Sequence, residues 1–206
     1  MSNYHIGQYI KKRREELNVN QDALCYGICN RSTLSRIERG RQEPSYQVLK
    51  ALLQRLGISE NRCQILIGPQ EFAIVELQRE IVADNVKHDF SAALQKIERL
   101  EALFQPEQQP ILQQFVLRVR ALAGYEKDGQ HFDYDCPTQR RMLKQALELT
   151  CAGINLENMR GFLLGEDETK IINQIAITYS EEGKRRQAIE NLPPADPLCR
   201  EPFSRL

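Results

Sequence analysis

The chain lacks the residue patterns on which most enzymes and metal proteins depend. It has no tryptophan, only three histidines, and six cysteines with no Cys-x-x-Cys pair among them. The histidines, His5, His88 and His131, are far apart in sequence, and no nucleophile motif or phosphate-binding loop accompanies them. A zinc site needs regularly spaced ligands, and acid–base catalysis needs paired groups. We therefore expect no metal, no cofactor and no enzymatic activity.

Long hydrophobic runs are also missing. The apolar stretches are short and have charges nearby, and the N-terminal sequence lacks the apolar segment of a secretory signal. These features predict a cytoplasmic protein without a membrane partner. The six cysteines, at positions 25, 29, 63, 136, 151 and 199, are therefore interpreted as reduced thiols that serve as small core side chains rather than as redox sensors.

The charges of the chain are unevenly distributed although the formal net charge is zero. Residues 1–59 contain ten Lys and Arg against five Asp and Glu, whereas residues 60–206 contain 18 against 23. A length of 206 residues suits two domains. A basic first part and an acidic second part are typical of a protein that contacts DNA with one end and repels it with the other.

Residues 1–59 are predicted to form a domain of four short helices. Apolar residues have helical spacing over residues 5–17. Asn20 and Asn30 are suitable N-caps for the second and third helices, and Pro44-Ser45 opens the fourth. Glycines that suit helix ends follow these three helices at positions 27, 40 and 57.

The third helix carries the most informative pattern in this domain. Leu34 and Ile37 are spaced to face the core, so the opposite face exposes short polar and cationic residues. These are Ser32, Ser35, Arg36 and Arg39. Arginine pairs bidentately with guanine in the major groove, but any solvated helix face also carries charge. The charge pattern alone leaves both interpretations open.

The stretch from Val19 to Ser59 resembles the helix-turn-helix of the Cro/C1 repressor family, also called XRE. The matching positions are Gln21, Leu24, Leu34, Ile37, Glu38, Gly40 and Pro44-Ser45. Between Leu24 and Arg31 the chain is one residue shorter than the commonest form of that family, with Gly-Ile-Cys-Asn in place of Gly-Val-Ser. The resemblance implies a DNA-binding domain whose third helix enters the major groove.

The short turn, the Ser-x-Leu-Ser-Arg-Ile-Glu motif and the Leu-Leu-x-Arg-Leu-Gly ending are together similar to the RRNPP family of peptide-responsive regulators of Gram-positive bacteria. This resemblance implies an all-α chain, with a helix-turn-helix bundle followed by an α-solenoid of tetratricopeptide-like hairpins. It also implies a homodimer on a double-stranded DNA operator and a short peptide effector bound to the repeats. Asn173 is the candidate clamp for the peptide backbone, with Asn85 and Gln174 as further candidates. A capping or solvent-facing role is the alternative for each.

The predicted DNA-contacting residues divide by role. Arg31 and Ser32, at the start of the third helix, are predicted to read bases, with Arg36 at the groove edge. Predicted phosphate contacts are Gln21, Thr33, Ser35, Arg39 and Arg41, and Asn30 adjoins them as the N-cap. Glu38 is interpreted as structural, because an internal arginine partner or a backbone contact explains a carboxylate beside DNA better than base reading does.

Residues 60–68 are predicted to be a linker, and residues 69–190 to be helical repeats that begin at Gly68-Pro69. Apolar spacing predicts helices over 69–88, 90–104, 111–122 and 140–151, with residues 124–137 as a polar loop. The core positions assigned to the first of these helices are Phe72, Val75, Ile81 and Val82.

The clearest repeat is predicted in the segment from Ile171 to Glu190. Its Ala176, Tyr179, Gly183 and Ala188 have the spacing that tetratricopeptide repeats use, and Phe90 and Ala93 form a degenerate earlier copy. Helical hairpins that are not repeats remain the alternative. Residues 191–206 form a proline-rich tail in which a helix cannot continue, so we expect the third repeat to lack its pair and its cap. A simple ordered or floppy tail is the other interpretation.

The sequence therefore predicts a sequence-specific transcriptional regulator. The alternative is a tetratricopeptide adaptor that sequesters a signalling partner and has little affinity for DNA. An apolar or acidic face on the third helix would favour the adaptor, whereas the face in this chain is polar and basic.

Overall fold

Ten α-helices, one short 3-10 helix (Met159–Gly161) and one small sheet are the regular elements in the part of the chain that the computed structural model describes, which is residues 4–58, 68–155 and 158–190. In chain order the elements are α1 (Tyr4–Glu16), α2 (Gln21–Cys25), α3 (Arg31–Glu38), α4 (Tyr46–Arg55), α5 (Pro69–Val86), α6 (Phe90–Glu101), α7 (Pro110–Ala123), β1 (Tyr125–Lys127), β2 (Gln130–Phe132), α8 (Cys136–Thr150), α9 (Glu166–Glu181) and α10 (Arg185–Glu190). The predicted linker, except Gly68, and the predicted tail 191–206 lie outside the described residues, as do Cys63 and Cys199.

The four helices of the N-terminal domain begin and end within one or two residues of the predicted positions. The Oδ1 atoms of Asn20 and Asn30 accept hydrogen bonds from the backbone N–H of Ala23 and Thr33, at 2.7 and 2.8 Å. The Ser45 hydroxyl accepts one from Val48 at 3.4 Å. Each cap satisfies a backbone donor that has no partner within its own helix.

A single apolar core holds these four helices together. Every helix contributes at least one fully buried side chain, since burial of apolar surface is the main force that joins short helices. The core residues include Ile10, Leu24, Leu34, Ile37, Leu52, Leu53 and Leu56. Ile111 of α7 also packs against this cluster, so the N-terminal domain rests directly on the rest of the molecule.

The second part of the chain, which we call the body, is a series of helices packed in chain order. α5, α6 and α7 enclose one core that includes Ile81, Ile97 and Leu112. α7, α8 and α9 enclose another that includes Leu143 and Ile171. α7 therefore serves both layers. The all-α prediction, a helix-turn-helix bundle followed by helical hairpins, is confirmed, and the assignment of these hairpins to the tetratricopeptide family stays a prediction.

The region from Gly124 to Pro137 differs from the predicted polar loop. It contains an antiparallel hairpin in which Tyr125 pairs with Phe132, and Asp128 and Gly129 form its turn with positive φ angles of 51° and 73°. An Asp-Gly pair is a strong signal for such a turn, and the sequence prediction overlooked it. The last two residues of the predicted loop lie in the first turn of α8, which is capped by Asp135. Proline is well tolerated there because the first N–H groups of a helix have no internal partner.

Two of the core positions assigned to α5 are wrong. Phe72 is 54% exposed and Val82 is 39% exposed, whereas Ile74 and Ile81 are buried. Ile74 and Ile81 are seven residues apart and lie on one face of the helix, which is the face that packs on α6 and α7.

The positions that suggested a repeat lie in α9 and at the turn after it. Ala176 is buried and Tyr179 packs against the core of α8 and α9. Gly183 has φ of 75° between α9 and α10, a conformation that favours glycine.

Replacement of Ile97 by alanine tests the core of the body. Ile97 is fully buried, so Ile97→Ala should lower the free energy of unfolding by about 2–5 kcal/mol through lost burial and a residual cavity. Val86→Ala, at a side chain that is 75% exposed, is the matched control and should change it by less than about 0.5 kcal/mol. Urea denaturation followed by circular dichroism measures both, and equal losses would contradict this core assignment.

Candidate nucleic-acid interface

Helix α3 lies on the domain with one face buried and the other open to solvent. Leu34 and Ile37 are at most 1% exposed. On the opposite side Arg31, Ser32, Arg36 and Arg39 are exposed, and Arg41 is exposed just after the helix. Thr33 and Ser35 are half-buried at the edges of this face. Most of the residues predicted to contact DNA therefore lie together on one accessible surface.

The start of α3 is fixed by its N-cap. Asn30 Oδ1 accepts the hydrogen bond of Thr33 N–H and also that of the Ser32 hydroxyl, the latter at 2.7 Å. Asn30 therefore holds the backbone and orients the Ser32 side chain at the same time. The Ser32 oxygen retains acceptor capacity toward a partner, because a hydroxyl has two lone pairs.

Arg31 forms an ion pair on the protein surface. Its Nη1 atom lies 3.3 Å from Asp22 Oδ2, and the two side chains are 67% and 64% exposed. An exposed pair of this kind contributes about 0–1 kcal/mol. Breaking it to place the guanidinium against a base edge therefore costs little.

The end of α3 is fixed by the buried carboxylate of Glu38. Arg14 of α1 donates to both of its oxygens, from Nε at 2.7 Å and from Nη2 at 3.0 Å. Hydrogen bonding to Glu38 raises the pKa of Arg14, against the effect of burial, which lowers it. The interpretation of Glu38 as a structural residue with an internal arginine partner is confirmed. Arg14 was not foreseen as that partner, because 24 residues separate the two in sequence.

Gln21 also serves this carboxylate. Its Nε2 atom donates to Glu38 Oε2 at 2.7 Å, so the amide nitrogen is engaged inside the domain. The predicted phosphate contact of Gln21 stays a prediction.

Gly7 is a further residue that the sequence did not single out. A Cβ atom at this position would overlap the backbone carbonyl of Ile37, so only glycine allows α1 and α3 to approach so closely. A glycine inside a helical pattern was the one signal for this contact.

The residues predicted to hold a peptide lie on two different helices. Asn85 of α5 donates from Nδ2 to the carbonyl of Val119 at 3.4 Å and so ties α5 to α7. Asn173 is exposed on α9. Gln174, next to it, is half-buried. The alternative structural role fits the contact of Asn85, whereas Asn173 is accessible.

Burial disfavours the thiolate form of two of the described cysteines. It raises the pKa of Cys29 and of Cys151 to about 11 in each case. Among the residues described, no group of His, Cys, Asp and Glu is arranged to hold a metal ion. None of the described helices combines the length and the apolar character that crossing a membrane requires.

Comparison with known proteins identifies the N-terminal domain. Residues 10–62 match the model of a helix-turn-helix family, HTH_3, so the N-terminal part of the chain is a helix-turn-helix domain of this type. No curated protein matches the chain. Among solved structures it is similar to Bacillus thuringiensis PlcR in complex with the peptide PapR7 and DNA, with 23% identity and a TM-score of 0.41. The match covers 91% of this chain and 62% of that one, so this chain spans less than two thirds of its length.

Removal of the Glu38 carboxylate tests whether the pair of Arg14 and Glu38 stabilises the position of α3. Glu38→Ala removes the buried counter-ion of Arg14, which keeps only the exposed Glu15 at 3.7 Å, and should lower the free energy of unfolding by about 3–5 kcal/mol. Glu16→Ala removes the exposed partner of Arg13 and should cost less than about 1 kcal/mol. Urea denaturation compares the two variants. A Glu38→Ala loss no larger than that of the control would show that the pair does not support α3.

Proposed function

We propose that this chain is a sequence-specific DNA-binding transcriptional regulator that reads its operator with the exposed face of α3. The observation that supports the proposal is the accessible polar and cationic face of α3 within a domain that matches the helix-turn-helix family. A recognition helix enters the major groove with its N-terminal residues at the base edges. Arg31 and Ser32 occupy that end of α3.

The roles of the side chains follow from their positions on this surface. Arg31 and Ser32 contact bases, and Arg36, one turn later, lies at the groove edge. Thr33, Ser35, Arg39, Arg41 and Gln21 contact phosphates that set the register. Asn30 keeps the first turn of α3 in place through its cap.

We further propose that two copies of the chain bind one operator. A homodimer places two α3 helices in successive major grooves about 34 Å apart on an inverted repeat. A short peptide bound to the body, with Asn173 as a contact, controls this dimer. The support for dimer and peptide is the sequence resemblance to peptide-responsive regulators. Selection of bound DNA from a random pool, with and without a culture-derived peptide fraction, tests both proposals. A palindromic consensus supports the dimer, and a non-palindromic single site contradicts it. If the peptide fraction changes neither the consensus nor the yield of bound DNA, peptide control is contradicted.

Two arginine variants separate base reading from phosphate binding. Arg31→Ala should cost about 1–3 kcal/mol of binding free energy at one operator position, because it removes a bidentate contact to a base. Arg39→Ala should weaken binding to operator and random DNA alike and reduce the slope of affinity against salt by about one. Fluorescence anisotropy with the selected operator, its single-base variants and random DNA measures these effects.

Lys144→Ala, at an exposed position of α8, is the matched control for loss of one surface cation. It should leave all affinities unchanged. If Arg31→Ala and Arg39→Ala lower the affinity for operator and random DNA equally, the assignment of base reading to Arg31 is wrong.

A further inference from the structure

Arg55, the last residue of α4, lies at the junction between the N-terminal domain and the body. Its side chain is 2% exposed. Nη1 donates to the carbonyls of Leu24, at 3.2 Å, and Tyr26, both at the C-terminal end of α2. Nη2 donates to the carbonyl of Thr150, at the end of α8, at 3.1 Å. The guanidinium group of Arg55, at the end of α4, thus links the end of α2 in the N-terminal domain to the end of α8 in the body.

The body supplies a buried carboxylate for this cation. Glu168 Oε1, on the first turn of α9, lies 3.2 Å from Arg55 Nη2. The Thr150 hydroxyl donates to the same oxygen at 2.9 Å and accepts from Gln114 Nε2 at 2.6 Å. Glu168 Oε2 accepts from the backbone N–H of Gly165 at 2.9 Å. Both oxygens are therefore satisfied, and the charges of the pair compensate each other inside the junction. We call Arg55, Thr150 and Glu168 the junction triad.

The turn before α3 is pressed against the same part of the body. A Cβ atom on Gly27 would overlap the backbone of Thr150, and Gly27 has φ of 67°. The Tyr26 hydroxyl donates to the carbonyl of Ala152 at 3.3 Å, and its ring makes an edge contact with Phe162. Tyr26 and Gly27, at the start of the short turn, are thus one of the contacts between the N-terminal domain and the body, beside the packing of Ile111 of α7 on the core of the domain.

This arrangement fixes the direction in which α3 faces. α3 begins four residues after Gly27, so a turn that is held on the body holds the start of the recognition helix as well. The body leaves the recognition face open, since Arg31, Ser32, Arg36 and Arg39 are exposed. The junction therefore presents the helix and does not cover it.

We propose that Arg55 is a positioning residue for DNA recognition: through the junction triad it holds α3 at one fixed angle to the body, and this angle sets the spacing of half-sites that the protein accepts. The proposal rests on the proposed DNA-binding function and on the proposed homodimer, because a spacing of half-sites can be selected only by two linked copies. An arginine is required because its planar fork of donors reaches several acceptors in fixed directions, which a lysine ammonium on a flexible stem does not.

The test compares Arg55→Lys with Arg140→Lys in the full chain. Arg140 is the control because it makes similar contacts within the body. It pairs with Glu182 at 2.7 Å and donates to the carbonyl of Thr178 at 3.2 Å. Arg140→Lys therefore controls for the loss of a largely buried guanidinium group away from the junction. Spin labels are attached to keto amino acids that replace Lys12 of α1 and Glu98 of α6, both of which are exposed. The distance between the two labels, measured by pulsed electron paramagnetic resonance without DNA, reports the angle between the N-terminal domain and the body. We expect one narrow distance for the wild type and Arg140→Lys, and a broad distribution for Arg55→Lys.

The second readout is the preference for half-site spacing. Insertion of five base pairs between the half-sites of the selected operator turns one of them by about half a helical turn. The wild type and Arg140→Lys should lose about 100-fold in affinity, because fixed domains no longer engage both sites together. Arg55→Lys should lose less than about tenfold, because its domains reorient. Affinity for an isolated half-site should be the same for all three.

The outcomes separate the two proposals. A wild type that binds no DNA overturns the proposed function, and one that binds a single half-site as a monomer overturns the proposed dimer. In both cases the label distances still decide whether the triad fixes the domain. A wild type that binds DNA, with Arg55→Lys unchanged in both distance and spacing preference, overturns the positioning role. If Arg55→Lys does not fold, Glu168→Gln replaces it. This variant removes the negative charge that faces Arg55 Nη2 and keeps the length of the side chain, and a distribution as narrow as that of the wild type contradicts the proposal.

Discussion

Helix ends of like polarity meet around the guanidinium group of Arg55. α2 and α8 direct carbonyls at it, and α4 ends at Arg55 itself. The C-terminal end of a helix is partially negative, so a buried cation at this point stabilises all three ends. Glu168 occupies the opposite kind of position, in the first turn of α9, where a negative charge is favoured. Without this charge arrangement, these helix ends would leave carbonyls buried without partners, which a stable fold seldom allows.

α3 is held at both ends by buried arginine–glutamate chemistry. Arg14 binds Glu38 at its last residue, and Arg55 holds the turn that precedes its first residue. The desolvation of such pairs offsets much of their attraction, so their net contribution to stability is small, whereas loss of one partner is costly. Their value here is geometric. An eight-residue helix has little apolar surface, so the two contacts add direction to the packing of Leu34 and Ile37 in the core.

Local signals in the sequence predicted much of this fold. Asn20, Asn30 and the pattern of Leu34 and Ile37 placed the helices of the N-terminal domain, because capping and apolar spacing act within a few residues. The junction triad was not predictable in this way, since Arg55 and Glu168 are 113 residues apart. The Leu-Leu-x-Arg-Leu-Gly ending contains Arg55 but does not indicate which residue pairs with it. A buried arginine and an exposed arginine look alike in sequence. The misassigned faces of α5 have a related cause, because an apolar residue such as Phe72 also occurs on surfaces.

The same helix carries the junction carboxylate and the accessible candidate for effector binding. Glu168 and Asn173 lie five residues apart on α9, which corresponds to about 7.5 Å along its axis. A continuous helix moves as a unit, so a ligand that displaced α9 through Asn173 would also displace Glu168 from Arg55. Such a ligand would act on the angle of α3 without touching the DNA-binding domain. Its effect is limited by its differential affinity for the two positions of α9, because a ligand that binds both equally shifts neither. Control of DNA binding by the proposed effector would therefore require no contact between effector and α3, only a displacement of Glu168 from Arg55.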